Sequence, residues 1–424
     1  MKPIEVVLIG AGSRGMDTFG AFALRNPDDV KFVAVAEPDE AKRNYFADQH
    51  GIPSERRFAS WEEMLSQPQL APALINASID HVHFASTMAA LEAGYDVLLE
   101  KPMAPRVHEN VQLVRAAERT GRLLMIAHVL RYTPFFRTVK AIIDEGRLGD
   151  LITIEHKENV AFWHMAHSFV RGNWRRADTS APMILTKSCH DLDLLYWFVG
   201  KPTRRLSSFG SLTHFRSDRV GPEIPERCTD GCPIESECPY SAMRIYLGDY
   251  TGWPVSVISL DPSYEARLAA LKTGPYGRCV FRCDNDVVDH QVVSLEFEGG
   301  VTAAFSMYGH SHEDTRTLRI AGARAVLRGH LLRDEITIHE FSSGEVETIN
   351  PGAGIAMGHA GGDEGLMQAF VRTMRSGARV AALTSARESL ESHLMAFAAE
   401  ESRLQGTVID MAAYRQRAEA EAAG

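Results

Sequence analysis

Apolar and polar positions follow two different patterns along the chain, and the change falls near residue 128. Before it, short unbroken apolar runs at Glu5–Ile9, Lys31–Ala36, Leu74–Ala77, Asp96–Leu99 and Leu123–Ala127 alternate with helically spaced segments such as Val82–Glu92 and Val107–Arg119. Such runs predict strands buried on both faces, and their alternation with helices over short connections predicts a parallel sheet covered on both sides. After it, a helix around Pro134–Glu145 leads through Gly146 and Gly149 to a strand at Leu151–His156. Apolar residues then recur at every second position in Val292–Phe297, Val301–Tyr308, Leu318–Ala321, Ala325–Arg328 and Ile336–His339. That period predicts an antiparallel sheet with one covered face. Helical spacing returns at Leu366–Met374 and Ala386–Leu404, and the Ala/Glu-rich end from Ala418 to Gly424 is expected to fray. The prediction is an α/β architecture: a nucleotide-type domain over residues 1–127, then an α+β domain with a large open, mainly antiparallel sheet over residues 128–424.

Composition adds bounds. A chain of 424 residues, 45% hydrophobic and 24% charged, can build a large core in two domains. No apolar stretch reaches the roughly 20 residues of a membrane span. The first residues, Met1 to Gly12, lack the longer apolar core and small-residue cleavage site of a signal peptide. A first strand fits them better, and a cytoplasmic location is expected. The net charge of −10 is of the wrong sign for a general nucleic-acid binder. Neither nucleic acid nor membrane is an expected partner.

Gly10-Ala11-Gly12-Ser13-Arg14-Gly15 matches G-x-G-x-x-G directly after a predicted strand and at the start of a helix, the context that this pattern needs. The first glycine permits a tight turn, the second lets backbone approach a pyrophosphate, and the helix N–H groups face it. Glu37 ends the second predicted strand, 22 residues after Gly15. Its carboxylate can accept hydrogen bonds from ribose hydroxyls and would repel a 2′-phosphate, so the first domain reads as a Rossmann dinucleotide-binding domain that prefers NAD to NADP. Lys42 and Arg43 stand near enough to soften that preference.

Three further segments carry a family resemblance. Ser78-Ile79-Asp80-His81-Val82-His83 is similar to a strand-to-helix segment usually written T-P-N-x-x-H, Glu100-Lys101-Pro102 is an E-K-P motif, and His128-Val129-Leu130-Arg131-Tyr132 enters the second domain. In these the chain resembles the glucose–fructose oxidoreductase, inositol dehydrogenase and MocA family over nearly its whole length. The resemblance implies that Ser78, His83, Glu100 and Lys101 lie at the nicotinamide end of the cofactor and that Lys101 orients the substrate hydroxyl. It also implies a homodimer or homotetramer built on the open sheet. Independently, the residue before a proline is pushed to extended geometry, so Lys101 should project from a strand end.

Removing a hydroxyl proton as hydride leaves calls for a base titrating near working pH, and histidine is the usual one. The family places D-x-x-x-H at the start of a helix of the second domain. In Leu185-Thr186-Lys187-Ser188-Cys189-His190-Asp191-Leu192-Asp193, His190 falls on the histidine, but Thr186 stands where the aspartate belongs, with Lys187 offset by one. The expectation is His190 as proton acceptor, Lys101 orienting and Lys187 assisting. Asp191 and Asp193 either cap the helix or orient His190. Upstream, residues 162–176 interleave aromatics with histidines and arginines. A carbohydrate pocket uses aromatic faces for C–H patches and polar groups for hydroxyls. His128, Tyr132, His164, His167, Arg171, Trp174 and Asp191 are therefore the expected substrate contacts, and the arginines admit an anionic sugar. Asp289-His290 and the segment from His359 to Asp363 are secondary candidates.

Cys228, Cys232 and Cys238 cluster in an irregular Pro/Gly-rich stretch, and Cys279 is the chosen fourth member. Structural zinc is the expected occupant, with an iron–sulfur centre and metal-free thiols as the other readings. For the whole chain the leading expectation is an NAD-dependent oxidoreductase acting on a secondary hydroxyl of a sugar, glycoside or cyclitol. A glycosidase working by transient oxidation with tightly held NAD, and a non-catalytic sensor, are the alternatives.

Overall fold

The computed structural model describes residues 2–352, 358–377 and 382–423. Six parallel strands form the first sheet: β1 (Ile4–Ile9), β2 (Val30–Ala36), β3 (Arg57–Phe58), β4 (Ala73–Asn76), β5 (Asp96–Leu99) and β6 (Leu124–Ile126). Their order is β3-β2-β1-β4-β5-β6, so the winding direction reverses between β1 and β4. The crevice beyond the carboxyl ends of strands at such a reversal is where ligands of open α/β sheets bind. β1, β4 and β5 are buried almost throughout because helices such as Asp80–Glu92 and Val107–Thr120 cover the sheet.

The second sheet has nine strands: β7 (Leu151–Ala161), β8 (Thr203–Ser211), β9 (His290–Phe297), β10 (Thr302–Ser311), β11 (Thr315–Gly322), β12 (Ala325–His330), β13 (Glu335–Glu340), β14 (Val346–Ile349) and β15 (Ile409–Asp410). It is mixed: β7 and β10 pair in parallel at its centre, and the remaining ladders are antiparallel. β7 runs past His156 to Ala161 because its inward positions carry His156 and Glu158 between Ile154 and Val160, and the covered face is partly polar. Much of the end expected to fray is instead packed: helix Met411–Glu421 buries Tyr414 and Ala418, and Ala422 after it is buried.

Helix Cys189–Val199 joins the two halves. It packs against β7 and against helix Ala386–Gln405, and Gly200, at φ +65°, ends it in the left-handed conformation. Leu192, Leu194, Leu195 and Phe198 are buried on it, each worth about 1.5–3 kcal/mol by area. That burial carries His190, Asp191 and Asp193 into the interior with it, and each charged group there requires a partner. Asp193 finds a bidentate one: Arg131 Nε and Nη2 each donate to it at 2.7 Å, both residues being buried. The pair fastens the segment leaving the first sheet to the helix.

Candidate active site

The glycine turn is built for a close neighbour. Gly10 has φ +88°, and a Cβ there would lie 2.6 Å from Ala77 O, so the turn between β1 and its helix requires glycine. Nothing stands within 4 Å of a Cβ position on Gly12, which leaves its backbone open. A Cβ on Gly15 would lie 2.2 Å from Gly10 O, so its bareness lets the helix pack on the turn. Glu37, at the end of β2, accepts from Ala11 N at 2.8 Å and from Asp39 N at 3.0 Å. Its carboxylate is fixed at the rim, with lone pairs left for hydroxyls. Arg43 is drawn back onto the Glu37 carbonyl at 2.6 Å. These features fit a dinucleotide pyrophosphate and its adenosine ribose.

Other predicted cofactor residues brace the crevice. Ser13 donates to Asp17 at 2.9 Å. Arg14 donates to Glu100 at 2.6 Å and to Asp363 at 2.8 Å, tying the glycine turn to the E-K-P strand end and to helix Gly362–Ser376. Burial works against the Arg14 charge, and the two carboxylates outweigh it and raise its pKa further. Ser78 donates to Asn76 at 2.7 Å. His83 places one ring nitrogen 2.7 Å from Pro102 O and the other 3.1 Å from Ser78 O, holding those strand ends together.

Lys101 and His190 meet at the mouth of helix Cys189–Val199. Lys101, before a cis proline, donates through Nζ to Thr186 O at 2.8 Å. The threonine that replaces the expected aspartate thus receives the lysine on its backbone. His190 is buried, and its Nδ1 has no protein partner. Its ring stands edge-on to His128 at 5.5 Å and 6.3 Å from His359; His128 in turn contacts His393 at 5.4 Å. Burial, then the positive charges of Lys101 and the neighbouring histidines, push the His190 pKa well down. Burial does the same to His128, helped by Arg131 and Lys101. Both imidazoles are therefore neutral at neutral pH, the form that accepts a proton.

The second sheet meets the helix start with charge of its own. Glu158 on β7 lies directly opposite Arg316 on β11 in the antiparallel register, and their side chains pair at 2.5 Å. Arg316 Nε also donates to Asp191 at 2.9 Å, and His156 Nε2 lies 2.8 Å from the same Asp191 oxygen. Lys187 Nζ reaches Glu158 at 3.3 Å. Burial pushes the Asp191 carboxyl up, but Arg316 and His156 outweigh it and hold it at about 2. Glu158 goes the other way: burial raises it despite Arg316 and Lys187. Asp191 and Asp193 are thus ion-pair partners rather than caps, and the helix start has no side-chain cap. A second dyad lies beside them. His164 Nδ1 donates to Asp314 at 2.8 Å, which leaves Nε2 with its lone pair. Burial, then the Lys187 charge, take His164 down to about 4.

The structure divides the other predicted substrate contacts. His167 stacks on Tyr276 at 4.7 Å and pairs through Nδ1 with Tyr246 Oη at 2.9 Å, and Trp253 stands 4.8 Å from the His164 ring. Trp174 donates to Asp80 at 3.0 Å. Tyr132 is turned into the core, with its hydroxyl 3.0 Å from Thr384 Oγ1. Arg171 is also turned away, donating to Arg278 O and Tyr240 O at 2.7 Å. Asp289 holds a turn, accepting from Thr213 N at 2.8 Å and His214 N at 2.7 Å. Cys228, Cys232, Cys238 and Cys279 line one cavity. Among the described residues no three His, Cys, Asp or Glu side chains converge on a single-ion position, so the expected zinc ion finds no ready-made site. Glu158, Arg316 and Asp314 were not foreseen. For Glu158 and Arg316 the signal was a charge at a strand position whose i+2 neighbour is apolar and buried, Val160 and Leu318 respectively; Asp314, between β10 and β11, carries no such signal.

Residues 4–128 match the family model for the NAD-binding Rossmann fold of an oxidoreductase family, and residues 140–411 match the model for its C-terminal alpha/beta domain. The chain belongs to the Gfo/Idh/MocA oxidoreductase family. Relatives similar to it include YteT of Bacillus subtilis (strain 168), 24% identical over 328 residues, 73% of this chain and 74% of YteT. Another, scyllo-inositol 2-dehydrogenase (NADP(+)) IolW of the same strain, is 26% identical over 201 residues, 47% of this chain and 52% of IolW. The alignment thus spans about half the length of that enzyme. Among solved structures, levoglucosan dehydrogenase in complex with NADH and levoglucosan superposes with a TM-score of 0.70 at 17% identity, covering 97% of this chain and 100% of that one. That likeness is one of fold. As a Gfo/Idh/MocA member the chain is an enzyme of a sugar and polyol oxidoreductase family that binds NAD.

Proposed function

We propose that this protein is an NAD-dependent dehydrogenase of a secondary hydroxyl on a neutral sugar, glycoside or cyclitol. The observation that carries the reading is His190, a buried and neutral imidazole beside Lys101 at the carboxyl end of the first sheet. NAD bound in the crevice supplies the hydride acceptor. Lys101 Nζ, fixed by Thr186 O, orients the substrate oxygen and favours its anionic character, and a ring nitrogen of His190 takes the hydroxyl proton. His164, through its free Nε2, and Lys187 present further polar groups to the sugar. A neutral substrate is favoured because the cations that could greet an anion are already committed. Arg175 pairs with Asp284 at 2.9 Å, Arg176 with Asp178 at 2.5 Å, Arg171 with backbone carbonyls, and Lys187 with Glu158.

The His164–Asp314 dyad supports a second reading, redox-neutral cleavage of a glycoside, because elimination needs an acid/base group in addition to His190. NADH absorbance and aglycone release, followed together on a panel of sugars, cyclitols and aryl glycosides, separate the two. The dehydrogenase predicts net NADH. For His190→Ala, turnover should fall by roughly 10²–10⁴-fold with NAD affinity kept, and near-normal turnover would remove His190 from the chemistry.

A further inference from the structure

Between β8 and β9 the described residues contain no strand beyond the isolated bridge of Arg227 with Arg278. The short helices there, Ala242–Tyr246 and Tyr264–Thr273, share a small core in which Ala242, Tyr246, Val255 and Leu271 are the buried members. The rest of the segment leans on the main core through Phe215, Ile224, Tyr240, Val280 and Phe281, and its irregular turns have no sheet ladder of their own. Its cysteines are nonetheless gathered. Cys228 N donates to Gly277 O and Cys279 N to Glu226 O, each at 2.9 Å, which clamps two distant stretches side by side. Cys232 and Cys238 come from the intervening turns, and these four cysteines line one small cavity of about 10 Å³, room for about one water-sized sphere.

A buried cation faces the same cavity. Arg171 is fully buried and lines it, with Nη2 3.7 Å from Cys228 Sγ. Its other acceptors are the carbonyls of Arg278 and Tyr240, and Nη1 has no partner in the protein. A buried guanidinium with an idle donor calls for negative charge nearby. Neutral thiols do not supply it, and bare thiolates in a dry cavity are costly. Thiolates on a metal centre answer both demands, since a tetrathiolate centre is anionic overall and its ligands give up their protons on binding.

We propose that Cys228, Cys232, Cys238 and Cys279 ligate a cubane iron–sulfur cluster, with Arg171 as its counter-ion. The space between the sulfurs selects the cluster over a single ion. Zinc draws its sulfurs to about 2.3 Å, closing them on a point. Here the four cysteines line a cavity that admits a water-sized sphere, which is wider than sulfurs closed on one zinc ion would leave, and no three converge on a single-ion position. A cluster with one cysteine on each iron fills a volume. It also has a structural task. Arg171 lies on the helical turn Ala166–Arg171 with His167, and the cysteine segment supplies Tyr246, Trp253 and Tyr276 to the wall around His167 and His164. The centre braces that wall from behind.

The test uses the full chain purified without oxygen, with iron, acid-labile sulfide and zinc counted per chain and the visible spectrum recorded. If it is isolated without metal, it is first reconstituted without oxygen from equal amounts of ferric and ferrous iron with sulfide. Roughly four irons and four sulfides per chain, with a broad visible absorption that dithionite bleaches, are expected. Cys189→Ala, whose sulfur is buried away from the cavity, should keep the cluster, and Cys238→Ser should lose it. One zinc per chain without iron, no uptake of iron, or a cluster retained in Cys238→Ser overturns the assignment. Should Cys238→Ser fail to fold, the metal content and spectrum of the unaltered chain decide. All of these readouts are independent of the enzymatic activity.

Discussion

Replacing Arg316 by methionine tests whether the second sheet balances buried charge beneath the candidate site. The group holds two cations, Lys187 and Arg316, against two carboxylates, Glu158 and Asp191, linked in a chain from Lys187 through Glu158 and Arg316 to Asp191. Glu158 and Asp191 are buried, so water cannot replace a lost partner. Arg316→Met keeps most of the side-chain volume and leaves one net negative charge in the interior. Breaking a buried pair on one side costs about 3–5 kcal/mol, a large part of the roughly 5–15 kcal/mol that holds a domain folded. The variant should relieve that charge by binding a proton on Glu158, whose carboxyl burial already raises. The folded variant then carries a proton that the unfolded chain, with a glutamate near pKa 4.3, releases. Its stability should therefore fall as pH rises, by about 1.4 kcal/mol per unit, between about pH 4.3 and the raised folded value. Urea unfolding at pH 6 and pH 8 measures this, with the unaltered chain as reference at each pH. Adding Asp191→Asn removes the surplus charge and should restore a substantial part of the loss. A destabilisation below about 1 kcal/mol, the same at both pH values, would refute the charge-balance argument.

Gly10→Ala should lower both NAD affinity and melting temperature, because the new Cβ meets Ala77 O at 2.6 Å on a residue with φ +88°; calorimetric titration with NAD checks it, and unchanged affinity counts against the cradle. Glu37→Ala should narrow the preference for NAD over NADP, since its carboxylate both fixes the loop through Ala11 and Asp39 and repels a 2′-phosphate; cofactor titrations read the ratio, which an uninvolved residue would not move. Acid should destabilise the fold before its carboxylates titrate. His164, at about 4, and His167 and His393, at about 3, are depressed chiefly by burial. The unfolded chain binds their protons from about pH 6.5 downward, so stability is intact above that pH and falls as pH drops toward 4. Glu158 and Asp193, raised by burial, act in the opposite sense. Replacing His393 by Gln isolates one contribution and should flatten the slope by about 1.4 kcal/mol per unit around pH 5; an unchanged slope would show that His393 is not buried neutral.

Local order was readable from the sequence where one physical cause dominates. The first sheet is a case: its unbroken apolar runs reflect two covered faces, and Asp96–Leu99 begins and ends where the pattern places it. Gly10 was legible because its left-handed backbone and the close approach of Ala77 O admit no other residue. Legibility failed where burial and polarity coincide. β8, with Arg204, Arg205 and Ser207 among its residues, has too little apolar alternation to stand out, and the central pairing of β7 with β10 is parallel although both strands carry the period-two pattern of an antiparallel sheet. Periodicity reports which face is covered, not the direction of the neighbour.

The replacement of the family's aspartate by Thr186 shows the same limit within the site. Read along the chain, that position has lost a carboxylate. Read across the fold, negative charge is supplied from two other places: Glu158 of β7 receives Lys187, and Asp191 of the helix itself is held by Arg316 and His156 from neighbouring strands. Thr186 keeps a role through its carbonyl, which every residue type offers, so the lysine of the E-K-P motif retains a fixed acceptor. His190 is left with no partner at its Nδ1, and burial first, then the positive charge of Lys101, drives its proton off. A histidine so placed is a ready but weak base. It therefore needs Lys101 to favour the alkoxide as the proton leaves. This dependence predicts that Lys101→Met loses about as much turnover as His190→Ala, and that combining the two adds little, as for groups that act as one unit.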